Sequence, residues 1–600
     1  VSATPRIVFA LLVCATFAAF FVAQELKSTP PNVQDLHVTP FFSPNRDGRF
    51  DRARASFRIK RTDDVTATVV DRAGEEIRVL ADNRRLRAGA LMRLAWDGTR
   101  DAKQIVPDGI YRVRLNLRRQ GRAVLLPRNI AKDTTPPDVR VTSIGPIRDT
   151  VPRPEVLPHE DGKPARVTFQ AAGRRKEIFV YRTDVRPIRP VFVAPIKLRD
   201  ADTTWQWDGT RDGRKVAAGT YLVVVRARDK AGNVGSSAPI PPRFEYGRPL
   251  IGRGGITVRY LRAQAPVSPI RAGDDALVAV ESVGANYRWS VRRVGSSGVR
   301  QRGRGTRSRR VRLPAPGGKS GLYLFEVRTR NRRTAAPLIV QSVQEQPVLV
   351  VLPATTWQGL NPADDDGDGR PDTLTAGLPV RIARPYVKDG IPPQIRRNEA
   401  LLLAQLDRKG RRYDITTDVA LARGEGPPLA GHRGVIVAGD ARWLDGRVAR
   451  RLRSFVRDGG KLLSVGTSSL RRNILLTPRG RAISPTLATA RDLFGARLGP
   501  VVRQPVTLVN VSDDIDLFAG TSGQFGGVEA FEQTLDVRGG TGAIAAVAAT
   551  QDGERQVIVA ARFGKGLVIR PGMPDFSARL QDSPELAELL DRIWTLLRSR

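Results

Sequence analysis

From Asp364 to Asp372 the chain reads Asp-Asp-Asp-Gly-Asp-Gly-Arg-Pro-Asp, setting carboxylates at alternate places in a loop rich in glycine. Hard oxygen donors at this spacing suit Ca²⁺, with Asp364, Asp366, Asp368 and Asp372 as the expected ligands and Gly369 at the sharp turn. Thr375 stands where a closing glutamate is usual. The other reading is an acidic turn held only by water. A second stretch, Gly466-Thr-Ser-Ser469, follows an apolar run at Lys461 to Val465, where a serine nucleophile would need a histidine; His432 is the nearest in sequence. No G-x-S-x-G surrounds it, so these serines read as helix caps. A third stretch, Arg288 to Arg312, is dense in arginine and free of acid. It is either a solvated hairpin tip or a polyanion-binding surface in which Arg302, Arg304, Arg307, Arg309 and Arg310 do the binding.

The acidic loop comes after Val348 to Pro353, a short Val/Leu run of the kind buried on both faces of a parallel sheet. Beyond the loop the chain alternates helix and strand: a helix over Asn398 to Asp407, strands at Tyr413 to Ile415 and Val435 to Ala438, and a helix carrying Val448, Leu452, Phe455 and Val456 on one face. After Gly459-Gly460 come strands at Lys461 to Val465, Val557 to Ala561 and Leu567 to Arg570. A last helix, opened by Ser583-Pro584, buries Leu586, Leu589, Leu590, Ile593, Trp594 and Leu597. The sequence before residue 347 instead alternates apolar and polar residues in short runs, the pattern of antiparallel sandwiches. The expected architecture is multidomain: an N-terminal membrane segment (1–27), tandem all-β Ig-like sandwiches (35–135 and 138–246), a third β domain (249–345, with Ile256 to Tyr260 as a strand), then an α/β domain with a largely parallel sheet (347–600).

Ninety-nine Lys and Arg stand against 60 Asp and Glu, a formal charge of +39. Such a chain attracts polyanions. The arginine run lacks interleaved aromatics beyond Trp289, so nucleic acid is not the expected partner; an anionic envelope polymer or lipid headgroup is. A single cysteine, Cys14, excludes a disulfide framework and a Cys-based zinc site. Arg6 precedes an uncharged apolar run, Ile7 to Ala23, poorly built for signal cleavage because Phe21 falls at −3. The expectation is an uncleaved single-pass anchor with the bulk of the chain outside the cytoplasm; the alternative is a secreted protein.

Trp96-Asp-Gly-Thr-Arg-Asp101 with Pro107-Asp-Gly-Ile-Tyr111 recurs as Trp207-Asp-Gly-Thr-Arg-Asp212 with Ala218-Gly-Thr-Tyr221. Each copy offers a buried Trp, an Asp-Gly turn, a glycine turn and a strand opened by Tyr. The repeated motif resembles the Ig-like domain of flagellar hook-cap (FlgD-type) proteins, which implies presentation or spacing rather than catalysis. The opening Ser43-Pro-Asn-Arg-Asp-Gly48 is similar to that of such secreted modules, and Asn45, Asp47 and Asp51 read either as turn formers or as cation ligands.

Further on, VLVVLPATTWQGLN, YDITTDVAL, GVIVAGDARWLD and FVRDGGKLLSVGTSSL occur in that order. They resemble the C-terminal domain of the large subunit of N,N-dimethylformamidase, which implies a class I glutamine-amidotransferase-like fold and amide hydrolysis on an iron held by tyrosine and glutamate. Here Leu360 and Arg442 stand at the aligned tyrosine positions. Leucine cannot ligate iron and arginine repels it, so iron is not an expected cofactor, whereas Ca²⁺ is. Trp357, Gln358, Asn361, Asp440 and Trp443 keep the outline of the pocket. The expected function is therefore a membrane-anchored extracytoplasmic protein displaying a catalytically degenerate amidase-like domain for binding or envelope scaffolding. The alternative is an active amide (C–N) hydrolase with a rearranged acid or metal site drawing on Asp440, Glu529 and Glu532.

Overall fold

The computed structural model describes residues 32–600 apart from 101–103, 146–154, 157–162, 283, 308, 388, 538–542, 554 and 600, together with 12–13 and 15–17. The anchor expected over Ile7 to Ala23 thus lies largely outside the described residues, as does Cys14. Among the described residues no helix is long and apolar enough to cross a membrane. Strands hold 44% of the chain and helices 11%, so the molecule is a β-rich chain of several separate sheets.

In the first module the strands Val33–Val38, Ala53–Ile59 and Leu91–Trp96 form one sheet, and Gly109–Leu117 and Asp63–Val70 lie at the centre of the other. Alternate residues of Ala53–Ile59 point inward, as a half-buried strand requires. The repeated motif does the same work in both modules. Trp96 Nε1 donates to the Thr99 carbonyl and Trp207 Nε1 to the Thr210 carbonyl, each at 2.9 Å. Tyr111 and Tyr221 donate their hydroxyls to the carbonyls of Pro107 and Ala217 at 2.8 and 2.7 Å. Trp–Tyr ring centroids lie 4.9 and 5.2 Å apart, edge to face. Each indole and phenol thus buries its body and satisfies its polar tip on the turn that its own motif makes. In the opening loop Asp51 accepts from the Arg46 and Gly48 amides and Asn45 from that of Asp47, which is turn-forming geometry.

The strand Gly255–Val258, expected in the third β domain, pairs antiparallel with Gly219–Arg228 of the second module. The same strand reaches the C-terminal domain: Gly255 packs so closely on the Gly367–Gly369 backbone that no side chain fits. The third domain pairs Asp275–Glu281 with Arg262–Gln264 and Arg309–Pro314, and stacks a five-stranded sheet against them.

In the C-terminal domain we number β1 (Val348–Leu352), α1 (Ala354–Leu360), α2 (Glu399–Arg408), β2 (Asp414–Thr417), α3 (Asp418–Arg423), β3 (Gly434–Val437), α4 (Gly446–Arg457), β4 (Lys461–Ser464), β5 (Ala496–Asp513), β6 (Gln524–Val537), β7 (Ile544–Thr550), β8 (Gln556–Phe563), β9 (Gly566–Arg570) and α5 (Pro584–Arg598). One nine-stranded sheet runs β2-β1-β3-β4-β9-β8-β7-β5-β6. Its first five strands pair parallel. From β9 onward every pairing is antiparallel. The sheet is mixed rather than largely parallel, because the later connections are turns and irregular loops instead of crossover helices. A clamp joins this domain to the third: the Arg293 guanidinium grips both oxygens of Asp407 at 2.5 and 2.7 Å.

Candidate functional site

The first parallel strand is buried at every position, and α1 follows it directly, so the chain leaves the sheet at its carboxyl edge. From there the acidic loop folds back, closed by the Asp372 amide donating to the Ala363 carbonyl at 2.9 Å. Asp364 accepts from the amides of Gly367 and Gly369 at 2.6 and 3.0 Å, and both glycines adopt positive φ. These bonds gather one oxygen each from Asp364, Asp366 and Asp372 within 4.8 Å of one another. Asp368 turns away. Its carboxylate accepts from the Arg370 and Leu250 amides at 2.6 and 2.7 Å. Burial and the neighbouring Asp366 push Asp372 up to about 8 and Asp368 up to about 7, the mark of carboxylates held together out of water.

The loop is also a joint. The Gly255 amide donates to the Gly367 carbonyl at 3.0 Å, and Thr183 Oγ1 donates to the Gly369 carbonyl at 2.6 Å. Both partners belong to the second module, so the loop is wedged between two domains instead of waving in solvent. Beneath it Arg384, which is buried, pairs with Asp365 at 2.8 Å and donates to the carbonyls of Gln358, Asn361, Ala363 and Asp372. Gln358 and Asn361 are spent on the same network: Gln358 donates to the Arg384 carbonyl at 2.9 Å and Asn361 to the Pro385 carbonyl at 3.0 Å. These two expected pocket residues brace the loop and have little reach left for a ligand.

At the carboxyl edge of the parallel strands the side chains form a second group. Trp357 Nε1 donates to Glu399 at 3.1 Å, while Asp440 pairs with Arg442 at 3.1 Å. Thr356 Oγ1 accepts the Arg442 amide at 2.9 Å. Near Asp440, Glu532 from β6 accepts from the Ser468 amide at 2.8 Å. Burial pushes Glu399, Glu532 and Asp418 each up to about 7, and it raises Asp440 despite the opposing pull of Arg442. Glu529, three residues before Glu532 on the same strand, is exposed and leaves this group because odd spacing along a strand places it on the other face. Trp443 is buried with the Arg472 guanidinium 5.6 Å from its ring centre. It does not line the small cavity of about 20 Å³ that touches Trp357 and Gln358. Leu360 is partly buried against the hydrophobic core.

Glu399 and Asp418 were not singled out from the sequence. Glu399 sits in the first turn of a helix, where an acid is ordinary, and only the fold brings it to Trp357. The serines after β4 do not cap a helix, since turn and then a strand follow, and Ser469 Oγ instead accepts the Ala441 amide at 3.0 Å. Topology also keeps them from the histidine: His432 precedes β3 and bonds Asp414 at 3.0 Å, whereas Ser468 and Ser469 follow β4. In parallel strands whose register pairs Gly434 with Lys461, those are opposite ends of the sheet.

The arginine run is strand and not a hairpin tip. Val299–Gly305 is the edge strand of the third domain's larger sheet, with Arg300, Arg302 and Arg304 exposed on one face. Gly303 and Gly305 alternate with them because the Trp289 and Tyr287 rings occupy the space a side chain would need. A row of cations on an edge strand blocks edge-to-edge pairing. Arg307 lies in the connecting turn, and Arg309 and Arg310 begin a strand of the other sheet, so the five expected binding residues are divided between two sheets.

Residues 306–496 match the family described as N,N-dimethylformamidase beta subunit-like, C-terminal. That span holds β1 to β4, the acidic loop, Glu399 and Asp440, and it ends where β5 begins; Glu532 lies beyond it. No curated protein matches the chain. Among solved structures the chain is similar to a cold-adapted beta-galactosidase from Rahnella sp. R3 (13% identity over 33% of this chain and 26% of that one, TM-score 0.23). It is also similar to a beta-galactosidase from Bacillus circulans sp. alkalophilus (15%, 32% and 26%, TM-score 0.21) and to a Bacteroides ovatus glucan-locus protein, SGBP-B (14%, 52% and 71%, TM-score 0.16). The chain spans about a quarter of the length of the two galactosidases, and scores this low do not establish a shared fold.

Proposed function

We propose that the chain is a membrane-anchored extracytoplasmic binding or scaffolding protein whose dimethylformamidase-related domain, of class I glutamine-amidotransferase-like fold, has lost iron-dependent amide hydrolysis. The observation that carries this reading is the ligand set. Leu360 offers no donor atom, and Arg442 brings a cation to Asp440. Among the described residues the only trio of His, Cys, Asp or Glu close enough to share a metal is Asp364, Asp366 and Asp372, and it lies in the interdomain loop. Three carboxylates are hard donors suited to Ca²⁺. In this reading Ca²⁺ cancels their mutual repulsion and locks the loop against the second module, so the FlgD-type modules and the amidase-related domain are presented as one unit. The test is iron uptake. The chain incubated with ferrous iron and desalted is expected to keep none in stoichiometric amount, and one iron per chain overturns the proposal.

A second reading, an amide hydrolase with a rearranged acid site, draws on Asp440 and on Glu532, which the Ser468 amide holds near Asp440 and which sits at about 7. A carboxyl poised there suits general acid–base work. The two readings part on turnover in the presence of a chelator, which only the acid-site hydrolase sustains.

A further inference from the structure

Away from both groups, a cleft of about 890 Å³ opens beside the small four-stranded sheet of the C-terminal domain. Arg381, Arg423, Arg447, Arg479 and Arg481 line it, with Glu425 the one carboxylate in its wall. The five arginines come from separate pieces of chain: the strand Val380–Arg381, the last residue of α3, the first turn of α4, and the hairpin of residues 477–481.

Their placement is fixed by backbone. Arg381 and Arg481 are direct partners in an antiparallel pair, and like charges opposite one another destabilise a sheet. The hairpin is closed by Gly480 donating to the Thr477 carbonyl at 2.9 Å and by the Arg481 amide donating to Thr477 Oγ1 at 3.0 Å. It is tied to the neighbouring strand by the Ile382 amide donating to the Gly480 carbonyl at 2.9 Å. Arg447 is held by both oxygens of Asp445 and by the Leu476 carbonyl. Arg381, Arg423, Arg479 and Arg481 make no ion pair among the described residues, and Glu425 is engaged by Ser268. Cations brought together at a cost to stability, and not neutralised by the protein, are a ready anion site.

We propose that this cleft binds a small oligophosphate whose adjacent charged groups bridge several guanidinium groups at once. Its volume exceeds what one phosphate fills, and no aromatic side chain lines it, which disfavours single-stranded nucleic acid. The inference is independent of the calcium and amidase readings.

Calorimetric titration of the full chain with sodium tripolyphosphate at low salt tests it. One ligand per chain is expected, with affinity falling steeply as salt rises. Arg381→Ser/Arg481→Ser should weaken binding at least tenfold, whereas Arg84→Ser/Arg85→Ser on the exposed edge strand Glu76–Leu86 of the first module should leave it unchanged. Without ligand, the first double variant should melt no lower than the parent because it relieves the Arg–Arg opposition; if it does not fold, Arg479→Ser at the exposed hairpin turn takes its place and should also weaken binding. Undiminished binding by the cleft variants, loss in the edge-strand variant, or equal affinity for orthophosphate or citrate overturns the proposal.

Discussion

Chelator-treated chain given CaCl₂ at about a hundred times the dissociation constant is expected to gain roughly 2.7 kcal/mol, a rise of several degrees in the transition of the C-terminal domain. The force is electrostatic. Asp364, Asp366 and Asp372 hold their oxygens within 4.8 Å of one another, and Asp364 and Asp372 are almost wholly buried. A divalent ion turns that repulsion into attraction and binds the native state alone. The four aspartates are not equivalent, as the sequence would suggest. Asp366→Ala and Asp372→Asn should abolish the calcium response, and Asp372→Asn without calcium should be at least as stable as the parent above about pH 8, where the parent carboxyl ionises beside its neighbours and the amide does not. Asp368→Asn should keep most of the response, since that carboxylate is occupied by the Leu250 and Arg370 amides. An identical melting temperature in calcium and chelator would show the loop to be only an interdomain turn.

The second large effect is one of pH. Glu399, Asp418 and Glu532 have ordinary values near 4 and sit at about 7 in the folded chain because burial penalises their charged forms. A folded value above the unfolded one means that the native state holds the proton more tightly. The stability this supplies is complete below about pH 4 and is lost as pH rises through about 7. With calcium present to neutralise the acidic loop, denaturant midpoints should therefore fall between pH 5 and pH 8. Each group carries on the order of 3 kcal/mol across that window, at about 1.4 kcal/mol per pH unit of displacement. Glu532→Gln keeps an oxygen to accept the Ser468 amide but cannot ionise. It should match the parent at pH 5, exceed it by roughly 1–3 kcal/mol at pH 8, and flatten the profile. A Glu532→Gln profile parallel to the parent's would mean that Glu532 stays charged beside a cation throughout.

The parallel half of the C-terminal sheet was legible because Val348 to Leu352 and Gly434 to Val437 are short, wholly apolar runs next to amphipathic helices, and period alone separates the two. The antiparallel half was not: β5 alternates irregularly and carries several register shifts against β6, so no clean two-residue period marks it. The Trp-Asp-Gly-Thr repeat was legible for a different reason. Each motif satisfies its own Trp and Tyr within a few residues, so its structure is local. The acidic loop was half legible. Its spacing set several carboxylates in one turn, but the turning away of Asp368 depends on the Leu250 amide, more than a hundred residues earlier in the chain, and the burial of the loop depends on Gly255. For the same reason Gln358 and Asn361, which read as pocket residues at the end of α1, serve Arg384. Long-range pairing of this kind leaves no mark in local sequence.

The proposed reading turns on Leu360 and Arg442, which stand where the dimethylformamidase resemblance expects tyrosines, and hydrolysis of N,N-dimethylformamide by the iron-supplemented full chain tests it most directly. The expected result is no dimethylamine above the rate of buffer with iron alone. Release of dimethylamine that requires iron and disappears with a chelator would contradict the proposed loss of the amidase reaction.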